Sequence, residues 1–144
     1  LDKDKLVQMS EKCIEYLKMI QVDDPKLAIA ALNPHGGEHG MFGDEEINIL
    51  IPAVEEAQAK GLRVDGPIPA DSVFHLAKEG YFDAVLSLYH DQGHIAAKTY
   101  DFYNTISLTM GLPFLRTSVD HGTAMEMAGK NIANEIASSN EGKE

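Results

Sequence analysis

Leu27-Ala28-Ile29-Ala30-Ala31-Leu32 is an unbroken apolar run that stops at Asn33-Pro34-His35. Without polar alternation it fits a strand buried on both faces, in a sheet covered by helices, and Asn-Pro ends such a strand in a loop. On its amino side, Leu6, Met9, Cys13, Leu17 and Ile20 recur at helical spacing before Pro25, which predicts an amphipathic helix over 3–21. On its carboxyl side, Ile47, Leu50, Ile51, Val54 and Ala57 make one helical face between Asp44 and Lys60. Asp44-Glu45-Glu46 stand at the positive end, Gly61 follows the last turn, and Pro52 predicts a kink or restart. A shorter helix over 71–79 closes at Gly80, and Ala84 to Leu88 reads as a second buried strand. Strands over 105–109 and 114–119 flank the turn signal Gly111-Leu112-Pro113, and a further helix is expected from Thr123. Helices alternating with short apolar strands predict an α/β layer fold. One domain over 1–134 is expected, followed by a tail over 135–144 too polar to pack.

Twelve basic against 23 acidic residues leave a net charge of −11, which argues against nucleic acid or an anionic membrane as partner, since both need a cationic surface. Any anionic ligand must then be met by a few placed cations. Cys13 is the single cysteine, so no internal disulfide forms, in keeping with a reducing compartment. No apolar run approaches the ~20 residues of a membrane helix, and Leu1-Asp2-Lys3-Asp4-Lys5 is the opposite of a signal peptide, so a cytoplasmic protein is expected. The start at Leu1 rather than Met predicts a boundary within a longer protein.

Two of the six histidines fall where an apolar run stops: His35 after Pro34, and His90 in Tyr89-His90-Asp91-Gln92-Gly93. Ligands bind at the carboxyl ends of strands in α/β sheets, and imidazole is the commonest metal ligand. The alternative for each is a loop histidine bonded to backbone. His39 follows His35 by four residues, but Gly36, Gly37 and Gly40 argue against a helical metal pair, and His39, His75 and His94 are read as surface or loop residues. Lys98 and Arg116 are cations in a chain with few, and Arg116, next to Phe114 and Leu115, suits a fork holding carboxylate or phosphate, with an ordinary ion pair as the alternative. Asp71 and Asp91 suit helix caps as well as chemistry. The turn Ser118 to Ala124 presents backbone N–H groups to an anion or an adenine ring, or is a turn only.

Together these stretches resemble the 4-hydroxythreonine-4-phosphate dehydrogenase family of vitamin B6 biosynthesis. The matching strings are Leu-Asn-Pro-His at 32–35, Gly-Pro-Ile-Pro-Ala-Asp at 66–71, Phe-Asp-Ala-Val at 82–85, Tyr-His-Asp-Gln-Gly at 89–93 and Gly-Leu-Pro-Phe-Leu-Arg-Thr-Ser-Val-Asp-His-Gly-Thr-Ala at 111–124. The stretch 128–134 also looks like the cofactor-binding segment of isocitrate and isopropylmalate dehydrogenases. The resemblance implies a three-layer α/β fold of that type, only part of it present. It implies a homodimer with a shared active site, a phosphorylated small-molecule substrate, NAD and a divalent metal (Zn, Mg or Co). His35 and His90 match two of three metal histidines, and the third would precede Leu1. Lys98 and Arg116 match substrate-binding positions, His121, Gly122, Thr123, Ala124 and Asn134 match NAD-binding positions, and Asp71 and Asp91 match acids near the metal that suit proton transfer. The family oxidises a secondary alcohol with NAD and then releases the neighbouring carboxylate as carbon dioxide.

Two departures bear on function. The family carries Asn midway between that Lys and Arg, where this chain has Ser107; Thr-Ile-Ser at 105–107 looks more like the subfamily acting on D-threonate or D-erythronate 4-phosphate. Family members are also much longer, so this chain resembles their carboxyl-side portion and is expected to be inactive alone. Two other classes compete: a non-catalytic α/β dimerisation module, and a metal-dependent hydrolase without NAD. The joint presence of His35, His90, Lys98 and Arg116 favours the dehydrogenase.

Overall fold

The computed structural model describes residues 1–109, 111 and 116–119, the last two by backbone only. The chain divides into two compact units, Leu1–Gly93 and His94–Glu144. In the first, β1 (Leu27–Ala30) lies between β2 (Val64–Ile68) and β3 (Ala84–Leu86), parallel to both. Leu27 to Ala31 are wholly inaccessible to solvent. Leu27 and Ile29 pack with Leu6, Val7 and Ile14 of α1 (Lys3–Met19) and with Ala53, Val54 and Ala57 of α2 (Ile51–Ala59). Ala28 and Ala30 point the other way, onto Val73 and Phe74 of α3 (Ala70–Lys78). Each face of β1 therefore meets helix, which is why the run carries no polar alternation.

The chain steps from β1 to β2 through α2, then returns across β1 to β3 through α3. Crossovers of one hand that run in opposite directions must lie on opposite faces, as these do. The connections leaving β1 and β2 thus part to opposite faces, and the carboxyl ends of those strands border the crevice where open α/β sheets bind ligands.

Asp2 caps α1 by accepting from the Lys5 N–H at 3.2 Å. Lys3 and Lys60 pair with Glu56 and Glu11 at 2.6 and 2.7 Å, exposed bridges between α1 and α2 that contribute little. The restart expected at Pro52 is present. Residues Glu46–Leu50 wind as a wide π turn and α2 begins at Ile51, with Pro52 in its first turn. Proline donates no N–H and its ring crowds the preceding turn, so the backbone widens ahead of it.

Three features depart from the sequence reading. β2 contains Gly66 and Pro67, both strand breakers; it survives because it borders only β1 among the described strands and bulges there, with Asp65 opposite Ala28 but Ile68 opposite Ala30. β3 is half-buried rather than fully buried, because among the described strands it is also an edge. A helix not expected from the sequence, α4 (His90–Tyr100), starts at His90 itself and runs across the division between the units. Its Gly93, which reads as a breaker, lies against Ser87, and a Cβ there would stand 2.4 Å from the Ser87 hydroxyl oxygen and force it to shift.

In the second unit, the two expected strands are present as β4 (Ile106–Thr109) and β5 (Arg116–Val119), and they pair antiparallel, with Ser107 opposite Ser118 and Thr109 opposite Arg116. Asp101 accepts from the Asn104 backbone and side chain at 3.1 and 2.7 Å beyond the end of α4. The turn at 112–113, the helix expected from Thr123 and the tail over 135–144 lie outside the described residues. Among the described residues, no helix is long and apolar enough to cross a membrane.

The bulge gives a direct test of β1–β2 packing. Gly66 has φ +146°, and a Cβ there would stand 2.7 Å from the Ile29 carbonyl oxygen. Gly66→Ala is expected to lower stability by roughly 3 kcal/mol, since both the backbone angle and the contact oppose a side chain. Urea unfolding should show an earlier midpoint at unchanged slope; an unshifted midpoint would contradict the bulge geometry.

Candidate active site

Three chain segments leave the carboxyl ends of the parallel strands, and each carries a polar side chain singled out by sequence. β1 runs into His35, β2 into Asp71 and β3 into His90. Where β1 ends, its ladder fails by stages. Ala31 N–H still donates to the Ile68 carbonyl at 2.7 Å, but the next two N–H groups have no strand opposite. Both donate to one oxygen of Glu46, Leu32 at 2.8 Å and Asn33 at 2.7 Å, while the Asn33 side-chain amide donates to its other oxygen at 2.9 Å. Glu46 is 1% exposed. Burial pushes its carboxyl upward, yet the N–H groups of Asn33 and Leu32 and the Asn33 amide outweigh burial and hold it below the usual glutamate value.

The sequence alone places Glu46 among the acids at the positive end of a helix and does not reveal this role. A signal was present: Glu46 precedes Leu50 by four residues and Ala53 by seven, on the helix's buried face.

The segment after Asn33 is a left-handed turn in which His35, Gly36, Gly37, Glu38 and His39 all have positive φ. Three of these are not glycine, each at a cost of about 1–2 kcal/mol. His35 is exposed, its ring edge-on to Phe42, and its Nδ1 lies 2.5 Å from Glu38 Oε1. That hydrogen bond and the charge of Glu38 raise the His35 pKa, and the Asp71 carboxylate adds to the rise, so Asp71 is within electrostatic reach.

His90 Nδ1 meets Asp91 Oδ1 at 2.8 Å. Gln92, in the first turn of α4, is buried and ties two strand ends together: its Nε2 donates to the Ala31 carbonyl and its Oε1 accepts from the Leu88 N–H, both at 2.8 Å. Asp71 and Asp91 lie in the first turns of α3 and α4; the residue capping α3 is Pro69, and the Ser72 hydroxyl donates to Asp71. Of the histidines set aside, His39 and His75 are exposed, whereas His94 is half-buried on α4.

In the second unit, Ser107, Thr109 and Arg116 share one face of the β4–β5 hairpin by its two-residue alternation and register. Arg116 donates to the Thr109 hydroxyl at 3.3 Å and, among the described residues, pairs with no acid. Thr109 carries no signal in the sequence; the strand register and this bond identify it. Lys98 Nζ lies 5.4 Å from the centre of the Phe102 ring. His121, Gly122, Thr123, Ala124 and Asn134 lie outside the described residues.

The histidine pair has a donor chemistry suited to a metal. In each, Nδ1 faces a carboxylate, which orients the ring and raises the basicity of Nε2, the arrangement usual behind metal-bound imidazole. Among the described residues, however, no three His, Cys, Asp or Glu side chains converge, so the pair is an incomplete set.

Residues 1–140 match the family model described as "Pyridoxal phosphate biosynthetic protein PdxA". The chain is 57% identical over 137 residues to a Symbiobacterium thermophilum protein, and 56% identical over 135 residues to one from Clostridium botulinum strain Hall. Both are named "Putative D-threonate 4-phosphate dehydrogenase"; the matches take in 95% and 94% of this chain but 41% and 40% of those proteins. The crystal structure of 4-hydroxythreonine-4-phosphate dehydrogenase from Klebsiella pneumoniae superposes with a TM-score of 0.88 at 42% identity, over 99% of this chain and 44% of that one.

The lowered carboxyl of Glu46 predicts a pH dependence of stability. A carboxylate depressed in the folded state stabilises fully above its ordinary value of 4.5, and the contribution is lost as pH falls through the lower folded value. Glu46→Gln should cost about 1.5–3 kcal/mol at neutral pH. Its stability should then decline less steeply than the wild type's on acidification below that value. Urea unfolding across the acid range checks this, and parallel curves for the two proteins would contradict it.

Proposed function

The chain belongs to the PdxA family, and from that premise we propose that it is the carboxyl-side portion of an NAD- and divalent-metal-dependent dehydrogenase. The substrate is a phosphorylated 3-hydroxy acid, D-threonate or D-erythronate 4-phosphate ahead of 4-hydroxythreonine 4-phosphate. The chain spans about two fifths of the length of the curated relatives it matches, so the activity belongs to an enzyme of their full extent. The observation that carries the reading is the pair His35 and His90, at the carboxyl ends of the neighbouring strands β1 and β3, each with Nδ1 on a carboxylate.

In this reading His35 and His90 hold a divalent cation through Nε2, with Glu38 and Asp91 fixing the rings. Imidazole donors favour Zn or Co over Mg. A third ligand is expected from the part of the relatives' length that this chain does not span. The cation, when bound, supplies Lewis acidity that withdraws charge from the substrate's oxygens. The secondary alcohol gives its hydride to NAD and its proton to a base, and the resulting β-keto acid loses carbon dioxide. Asp71 is the better candidate for moving the proton, because Asp91 is engaged with His90. Arg116, its fork steadied by Thr109, and Lys98 bind the phosphate and carboxylate groups. His121 to Ala124 and Asn134 contact NAD. We also place the enzyme in the cytoplasm as a homodimer sharing its active site, with the isocitrate and isopropylmalate dehydrogenase type of three-layer fold.

Two measurements test this. A full-length enzyme carrying this chain should bind about one divalent ion per subunit, and His35→Ala or His90→Ala should abolish binding by opening the ligand set. Full metal in either variant by elemental analysis would remove the carrying observation. The second concerns Ser107, which replaces the family's Asn. A buried polar group left unpaired decides between close analogues, so a hydroxy acid phosphate should be preferred to the amino substrate, and Ser107→Asn should shift that ratio toward the amine. NADH formation with each substrate at saturating metal gives the ratio. Preference for the amino compound, unchanged in Ser107→Asn, would return the chain to the vitamin B6 reaction.

A further inference from the structure

Glu46 touches the His35 turn at both of its ends. On the entry side it accepts from the N–H groups of Leu32 and Asn33 and from the Asn33 amide, which also donates to Glu45 at 2.6 Å. On the far side the turn comes so close that a Cβ on Gly37 would stand 2.9 Å from Glu46 Oε2 and 3.1 Å from the Gly43 carbonyl oxygen. Between these contacts lies His35, at φ 52° and ψ 27°, a conformation that a non-glycine residue keeps only where its surroundings impose it. His35 itself is exposed, and among the described residues its side chain meets the Phe42 ring and Glu38, the latter within the same turn. The restraint on this histidine therefore comes from beneath, through the backbone on either side of it.

We propose that Glu46 is a positioning residue for His35: one buried carboxylate staples residues 32–33 and packs against Gly37, and so sets where the imidazole is held. Its consequence for metal binding rests on His35 being a ligand, as proposed above; the placement of the ring does not. A merely structural acid would cost stability and leave the ring and its chemistry where they were.

The test uses full-length enzyme and the variants Glu46→Gln and Asn33→Ala, with cobalt(II) as the probe. Glu46→Gln keeps size but loses the charge and turns a donor toward the Asn33 amide. Asn33→Ala keeps both backbone bonds and loses the side-chain bonds to Glu46 and Glu45. Two readouts are taken on folded protein: the cobalt dissociation constant by visible absorption, and the ring signals of His35 against those of His75 in a nitrogen–proton spectrum without metal. In Glu46→Gln the His35 signals should move while those of His75 stay, and the cobalt dissociation constant should rise about 10–100-fold. Asn33→Ala should change both in the same direction by less. Unmoved His35 signals overturn the proposal, whatever the affinity does. Moved signals with unchanged cobalt affinity, or no cobalt binding by the wild type, uphold the positioning role and overturn the ligand reading instead. If Glu46→Gln does not fold, the His35 signals of Asn33→Ala decide by the same criterion.

Discussion

A buried carboxylate at the end of β1 sets the geometry on which the rest of the site depends. A parallel strand that leaves its sheet strands its last N–H groups, and an unpaired buried donor costs about 1–3 kcal/mol. Here Glu46 takes the N–H groups of Leu32 and Asn33, and Gln92 takes the carbonyl of Ala31. The strand can then end inside the protein rather than fray toward solvent. Glu46 comes from the π turn ahead of α2 and Gln92 from the first turn of α4, so the end of β1 is gripped by the two elements that flank it. The charge itself is tolerated because several donors surround it, which is the condition for burying a carboxylate.

From that fixed end the polar residues are displayed on backbone rather than on long side chains. His35 sits one residue beyond Pro34, Asp71 one residue into α3 and His90 at the first residue of α4. Opposed crossovers through α2 and α3 part the connections after β1 and β2 and leave the sheet's carboxyl edge accessible. Each histidine then has a carboxylate at Nδ1, contributed by the next few residues of its own segment: Glu38 for His35 and Asp91 for His90. The hairpin of the second unit works by another device, strand register, which puts Ser107, Thr109 and Arg116 on one face.

What was legible in the sequence is what local pattern controls. α1 follows from a 3.6-residue period, β1 from six apolar residues in a row, and the restart at Pro52 from a missing N–H. The histidines at strand ends were legible because the strands were. β2 was not, since Gly66 and Pro67 are tolerated only by a bulge against Ile29, which is a tertiary fact. α4 was hidden by Gly93, a helix breaker in sequence that packs against Ser87 in the fold. Asp71 and Asp91 look like caps in sequence and are first-turn residues in the fold, one bonded by Ser72 and the other facing His90. The run of positive φ through His35, Glu38 and His39 has no local signature beyond its glycines, one of which, Gly37, lies close against Glu46 and Gly43.

In the proposed site the carboxyl ends of β1 and β3 present His35 and His90, and no other histidine among the described residues, to one divalent cation. Paramagnetic NMR reads this without removing any side chain. Full-length enzyme with nitrogen-labelled histidine would be titrated with cobalt(II), and the ring signals followed individually. His35 and His90 alone, among His35, His39, His75, His90 and His94, are expected to acquire the large contact shifts of ligating imidazole, both at Nε2. Contact shifts at His39, His75 or His94, or at only one of the pair, would contradict it.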